Sequence, residues 1–425
     1  MSPLMRALGE TTPGPVLAEA LLDLGTYPVR TQDEAEAICL VLEALDQVPP
    51  CGVSPTPEAA DCPATALYML ASLFQRVEDT SAHEILTERG LPLLREAYER
   101  RLGASTRHRE DLIFLLKVFA MYPNRLGLEM ILEAAVRGLW AEDTLWQTVF
   151  SLFDHEHPHS LELVERLAKP LPHGFIAIAL LDCANGLALR GVRLAHPFDS
   201  VGGRSLLEEY LTGSDSRWYS YAHSAAAALP FLVPEARSRL TALALDHSCS
   251  RVQLEAAWAS TRLGSKSGVK MLKRACLDPR QAGVARAYLE ELGKGEEIPA
   301  EAFEPDLLAQ AEMCSWLSHP HEFGDSPEEI EIVDTRRMTW APTGDERQVW
   351  LLRFKFSEEY AEDGRPTEGL GMVGSITYAL HGEAALDRRP EDVYALHCCW
   401  ELQINKDPRA PAERSVEAGL EILGL

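Results

Sequence analysis

The chain is poor in positive charge. Its 425 residues hold 40 lysines and arginines against 65 aspartates and glutamates, a formal net charge of −25. No basic stripe of the kind that follows a nucleic-acid backbone is visible, and an anionic membrane surface would repel the chain, so neither is an expected partner. No apolar run approaches the roughly eighteen residues of a membrane-crossing helix. The stretch Met1 to Glu10 lacks the basic-then-apolar order of a secretory signal. Cysteine is sparse: nine, scattered, with no Cys-x-x-Cys pair. This argues against a disulfide framework and a sequence-readable zinc site, and fits buried free thiols in a reducing cytoplasm. Gly-x-Ser-x-Gly is absent, and the one His-Glu-x-x-His string, His155 to His159, contains Pro158 and falls in a predicted connection rather than on a helix. Gly202-Gly203 has no preceding strand and no Walker lysine, so it reads as a helix entry rather than a phosphate loop. No cofactor is expected.

What is present points to helices. The hydrophobic fraction, 46%, excludes a largely disordered chain, and the length favours two or more domains or one extended array. Asp215, Asp246 and Asp278 stand 31 and 32 residues apart, each followed by an alanine-rich run. In the second unit Val252, Ala256, Ala259 and Leu263 form one apolar stripe, and Gly264 is placed to end the helix in the left-handed region. A partner helix is predicted over about Lys266–Leu277, with Val269, Leu272 and Cys276 inward, and Asp278-Pro279 breaks it.

These residues resemble the HEAT repeat, most closely the short subclass of bilin-lyase-like proteins. The match rests on Asp246, Val252 with Glu255-Ala256-Ala257, Leu263-Gly264, Leu272 and Leu277-Asp278, and covers about Asp215 to Gly293. The arginine that usually follows the valine is Gln253 here, with Arg251 nearby. The resemblance implies a scaffold of stacked helix pairs and leaves the function open.

The preceding region is also helical by pattern. Thr31 to Glu34 reads as a capping box with Ala35, Ile38, Leu42 and Leu45 inward, followed by a loop over Pro49–Pro57. Further helices are predicted near Ala64–Arg76, Ala82–Arg101, Arg109–Met121, Leu126–Leu139, Asp143–Phe153 and Leu161–Ala168. The expected fold class is mainly α and multidomain: an α-solenoid of HEAT-like helix pairs, then a small α+β domain with an antiparallel sheet of about four strands. The boundaries read as 14–293 for the solenoid, 294–325 for a capping helix (about Ala302–Leu317) and linker, 326–408 for the sheet domain and 409–425 for a tail. From Glu296 onward there are eleven basic and twenty-eight acidic residues, a net of −17. The predicted strands are Ile330–Trp340, Arg347–Phe356, Gly369–Leu380 and Val393–Ile404, with a charged loop between Phe356 and Gly369.

Candidate sites follow from residue type. Trp218, Tyr219, Tyr221 and His223 cluster at the start of a repeat helix and suit either a binding surface or packing between repeats. On the last predicted strand Tyr394, Leu396, Cys398, Trp400 and Leu402 alternate inward, leaving His397, Cys399 and Glu401 on the outer face. His381 from the preceding strand would join them, with Arg353 and Lys355 outward on the second. Histidine, cysteine and glutamate suit a zinc site or an acid–base pair, and the cations suit an anionic ligand; a plain solvated sheet face is the stronger reading. His155, His157 and His159, and the pair His319 and His321, sit in predicted connections. The leading expectation is a non-catalytic protein-binding scaffold with a basic protein partner. The alternatives are an enzyme or small-ligand protein using the outer sheet face, and an immunity or inhibitor protein.

Overall fold

A computed structural model of the chain describes residues 2–10, 15–24, 26–44, 66–104, 109–213, 218–319, 321–357, 367–381 and 383–425. Asp215, Leu45 and most of the two predicted loops lie outside them. The described chain is mostly helical with a small four-stranded antiparallel sheet near the C-terminus. It divides into two compact units, Met1–Leu243 and Ala244–Leu425.

The first unit carries α1 (Pro3–Glu10), α2 (Pro15–Asp23), α3 (Gln32–Ala44), α4 (Ala66–Leu73), α5 (Thr80–Ile85), α6 (Leu91–Ala104), α7 (Arg109–Met121), α8 (Arg125–Val136), α9 (Leu145–Ser151), α10 (Ser160–Leu167), α11 (Phe175–Leu189), α12 (Val201–Thr212) and α13 (Tyr219–Ala228). Helix α14 (Pro234–Leu245) follows. The capping box forms: Thr31 Oγ1 accepts from the Glu34 amide at 3.2 Å, and the Glu34 carboxylate turns back to the Arg30 amide at 2.7 Å. Ala35, Ile38 and Leu42 are buried behind it. The helix expected over Ala82–Arg101 is present as α5 and α6, continuous through a π turn, Leu86–Gly90. Pro92 lacks the amide hydrogen that a regular helix would use at this point, and the wider turn accommodates the loss. Helix α11 is buried almost all round.

The second unit opens with α15 (Ser250–Arg262), α16 (Lys266–Ala275) and α17 (Ala282–Glu291). Leu254, Ala257, Leu272, Cys276, Ala285 and Leu289 share one core. Gly264 ends α15 at φ +87°, where a side chain would be strained, and the Ser265 amide reaches back to the Ser260 carbonyl at 2.9 Å. Val252, Ala256 and Ala259 are buried, whereas Leu263 is 40% exposed, because the turn at Gly264 carries it off the stripe.

Helix α18 (Pro305–Leu317) precedes β1 (Glu329–Trp340), β2 (Asp345–Lys355), β3 (Glu368–Val373) and β4 (Tyr378–His381), paired in that order. Short α19 (Glu383–Leu386), then α20 (Pro390–Ile404) and α21 (Val416–Leu423) complete the unit. The hairpin forms where expected. The third predicted strand is two strands, β3 and β4, joined by a turn at Gly374. The fourth predicted strand, Val393–Ile404, is α20 and not a strand.

The sheet is covered on both faces, which corrects the expectation of a solvated one. Leu352, Phe354 and Phe356 pack with Ala309, Met313 and Leu317 of α18. Val349, Leu351, Leu370 and Met372 pack with Val393, Tyr394, Cys398 and Leu402 of α20. Gly371 lets α18 approach, since a Cβ there would lie 2.3 Å from Met313 Cε.

Strand β1 serves both faces in turn. Ile332 pairs with Leu352, yet Asp334 pairs with Leu351, so Val333 is the extra residue of a bulge. Before it, Ile330 and Ile332 face the α18 layer; after it, Met338 and Trp340 face the α20 layer. Every even-numbered residue from Ile330 to Trp340 is at least partly buried, and the bulge alone decides on which side.

Candidate functional site

Helix α20 begins at Pro390, whose missing amide hydrogen is harmless in a first turn, and Glu391 and Asp392 suit the positive end of the helix. His397 and Glu401 follow four apart and therefore share one face. That face looks into the sheet layer: His397 is 4% exposed and Glu401 1%.

Glu401 is a clamp. Its Oε2 accepts from Trp340 Nε1 at 2.9 Å, at the end of β1. Its Oε1 accepts from Ser375 Oγ at 2.8 Å, in the turn between β3 and β4. Behind Ser375 stands Arg347 of β2, with Nη1 3.5 Å from the serine oxygen and Nε bound to Asp345 at 2.8 Å. Two donors satisfy a carboxylate that would otherwise be costly to bury.

His397 sits 3.7 Å from Glu401, Nε2 to Oε2, too far for a hydrogen bond, and Nε2 has no partner among the described residues. The rings of Trp400, Trp340 and Tyr378 surround it at 5.2, 5.8 and 6.0 Å between centroids. Burial pushes the imidazole down to about 3; the Ile376 backbone carbonyl pulls upward, and nearby Arg414 adds to the fall. His397 is thus neutral at neutral pH, and its contact with Glu401 is not an ion pair there. With both groups buried, this pair ties helix to sheet and offers no open face for acid–base chemistry.

The other residues expected to converge here do not. Cys399 is buried on a different side of α20, with Sγ 3.6 Å from the Ser415 carbonyl oxygen. The backbone of His381 pairs with Gly369, and its side chain lies outside the described ones. Arg353 and Lys355 line an open cleft of about 610 Å³ at the far end of the hairpin. There the register sets Arg353 opposite Glu331, and Lys355 opposite both Glu329 and Glu368. The pairs are loose, Arg353–Glu331 at 3.7 Å and Lys355–Glu368 at 3.5 Å, while Arg280 binds Asp278 at 2.9 Å. With Glu328, five carboxylates rim the cleft against three cations.

In the first unit, Trp218 and Tyr221 pack with Tyr210 of α12, at centroid distances of 6.1 Å and 5.2 Å, and Tyr221 also meets Phe175 of α11 at 5.9 Å. Two of the four expected aromatic-site residues are therefore shared in helix packing. Tyr219 is half-buried and His223 is exposed. His157 lies over Phe153 at 4.2 Å and accepts from the His159 amide at 3.2 Å through Nδ1. His321 likewise donates its amide to His319 Nδ1 at 3.3 Å. No group of three or more metal-ligating residues forms among the described residues.

Trp340, Ser375 and Arg347 were not expected at this site. Glu401 lies 61 residues from Trp340 and 26 from Ser375, and no local pattern links them. A local signal did exist for α20: Pro390 followed by two acids is a helix start. No protein family, no curated protein and no solved structure matches this chain.

Proposed function

We propose that the chain is a non-catalytic protein-binding scaffold that takes a basic partner. The observation that carries this reading is the cleft at Arg353 and Lys355. Its volume, about 610 Å³, lies in the range of ligand sites. Its three cations already stand beside carboxylates, and the Glu329 carboxylate has no cationic partner among the described residues. A lysine- or arginine-rich segment complements such a rim, and an acidic field speeds its arrival.

The same proposal includes a HEAT-like array over the helical region. Helices α13, α15 and α17 begin 31 and 32 residues apart, in keeping with the sequence repeat. Stacked helix pairs supply extended binding surfaces.

The test is native mass spectrometry of the protein purified gently from its own host, beside a Glu328→Lys, Glu329→Lys, Glu331→Lys variant. A basic polypeptide retained by the natural protein, lost from the variant and associating more slowly in salt is the expected result. Retention of a small molecule alone, or an association rate indifferent to salt, would sink the reading.

A further inference from the structure

A second cavity lies between β3, β4 and α20, beside His397. Its volume is about 40 Å³. That is room for roughly three waters, or for a chain of about two or three carbons. Leu370, Met372, Leu380, Val393 and Leu396 supply its walls, and none offers a hydrogen bond. Five apolar walls suit an alkyl chain, with the polar groups of the lining left for its head group.

His397, Tyr378 and Arg414 also line the cavity. Arg414 is exposed, and it makes no ion pair or hydrogen bond among the described residues. An exposed guanidinium beside no carboxylate among the described residues, in a chain with twenty-five more acids than bases, is suited to receive an anion. Its planar fork matches a carboxylate through two parallel hydrogen bonds.

We propose that this cavity binds a short-chain monocarboxylate, with its carboxylate on Arg414 and its alkyl chain among Leu370, Met372, Leu380 and Val393. The orientation follows from the surroundings. The Glu401 carboxylate, 3.7 Å from His397, disfavours negative charge beside that ring, while the exposed Arg414 attracts it. One cation and apolar walls leave no place for a second charged group, which excludes dicarboxylates. An amine would meet Arg414 unfavourably. The small volume limits the chain to about that of propionate or butyrate.

The experiment uses the full chain with ¹³C-methyl methionine, reading the Met372 methyl signal as sodium propionate is added at fixed ionic strength. Propanol and propylammonium chloride serve as comparators of equal length. A saturable shift with propionate at millimolar concentration, absent with both comparators, is expected. Arg414→Gln, at an exposed position, should fold normally and weaken propionate at least tenfold. Val393→Phe should abolish the shift by filling the cavity, and hexanoate should bind more weakly than propionate. The inference is overturned by any of three results: no saturable shift, a propanol response equal to that of propionate, or propionate binding within twofold in Arg414→Gln. Chloride competing as well as propionate would show plain anion binding and would overturn the monocarboxylate assignment. None of these outcomes bears on the acidic cleft, so the two readings fail separately.

Discussion

Helices α15 and α20 each bury a glutamate, and the two glutamates do different jobs. Glu255 of α15 accepts from Tyr288 of α17, a neighbour in a core built from consecutive helices. Glu401 of α20 gathers Trp340 from one strand end and Ser375 from a distant turn. One side chain decorates a core that local apolar spacing already specifies. The other joins pieces that nothing local would bring together. The difference teaches where information sits: in the helical layer it lies within a turn or two, and in the sheet layer it lies in register.

The strongest way to break the comparison is to delete Val333. Without the bulge residue, either Ile330 and Ile332 or Met338 and Trp340 must turn to the wrong face. A loss of at least about 4 kcal/mol is expected in urea unfolding followed by tryptophan fluorescence, in the range reserved for wholesale core disruption. A loss below about 1 kcal/mol would show that the strand re-registers freely.

Glu401→Gln comes next. The amide can accept from only one of Trp340 and Ser375 and must turn a donor toward the other, for a loss of about 2 kcal/mol. Equal unfolding midpoints for variant and parent would remove Glu401 from the role of clamp.

Acid sharpens the comparison between the two units. His397 in the second is held at about 3, and His196 in the first, where it meets Asn185 Oδ1 at 3.1 Å, is held by burial at about 4. Both folded values lie below the unfolded value near 6.5, so the unfolded chain binds more protons as pH falls. The stability held above pH 6.5 therefore declines toward pH 3 to 4, by about 1.4 kcal/mol per pH unit for each histidine. Replacing His397 with Gln should lessen the slope of urea midpoint against pH by one proton's worth. An unchanged slope would mean that His397 is charged in the folded chain.

The smallest effect is expected at Arg353→Gln. Its partner Glu331 is 3.7 Å away and both side chains are solvated, so the change should stay below about 0.5 kcal/mol. A larger loss would make the cleft rim part of the fold rather than a surface open to a partner.

Much of the helical layer was legible because its signals are short-range. The Thr31 cap, Gly264 and the helix over Arg109–Met121 all appear where their residues imply. The strand expected over Val393–Ile404 is a helix, α20, and the pattern is ambiguous for a physical reason. Tyr394, Leu396, Cys398, Trp400 and Leu402 satisfy a period of two, while Tyr394, Cys398 and Leu402 equally satisfy a period of four. Burial on more than one side blurs the periodicity further, since α21 packs so close that a Cβ on Gly419 would lie 2.2 Å from the Ala395 carbonyl oxygen. Pro390-Glu391-Asp392 carried the deciding signal. The candidate site was half legible: His397 and Glu401 do meet, but four apart on a buried helix rather than two steps apart on an open sheet.

By itself the sequence determined the acidity, the helical repeat spacing and the hairpin, because each depends on composition or on patterns along the chain. Only the tertiary structure decided that the sheet has no open face, that Val333 turns β1 from one layer to the other, and that Arg353 and Lys355 part company with His397 and Glu401. Those outcomes depend on register and on which helix covers which face, and a change of one residue in register reverses them without altering any local preference.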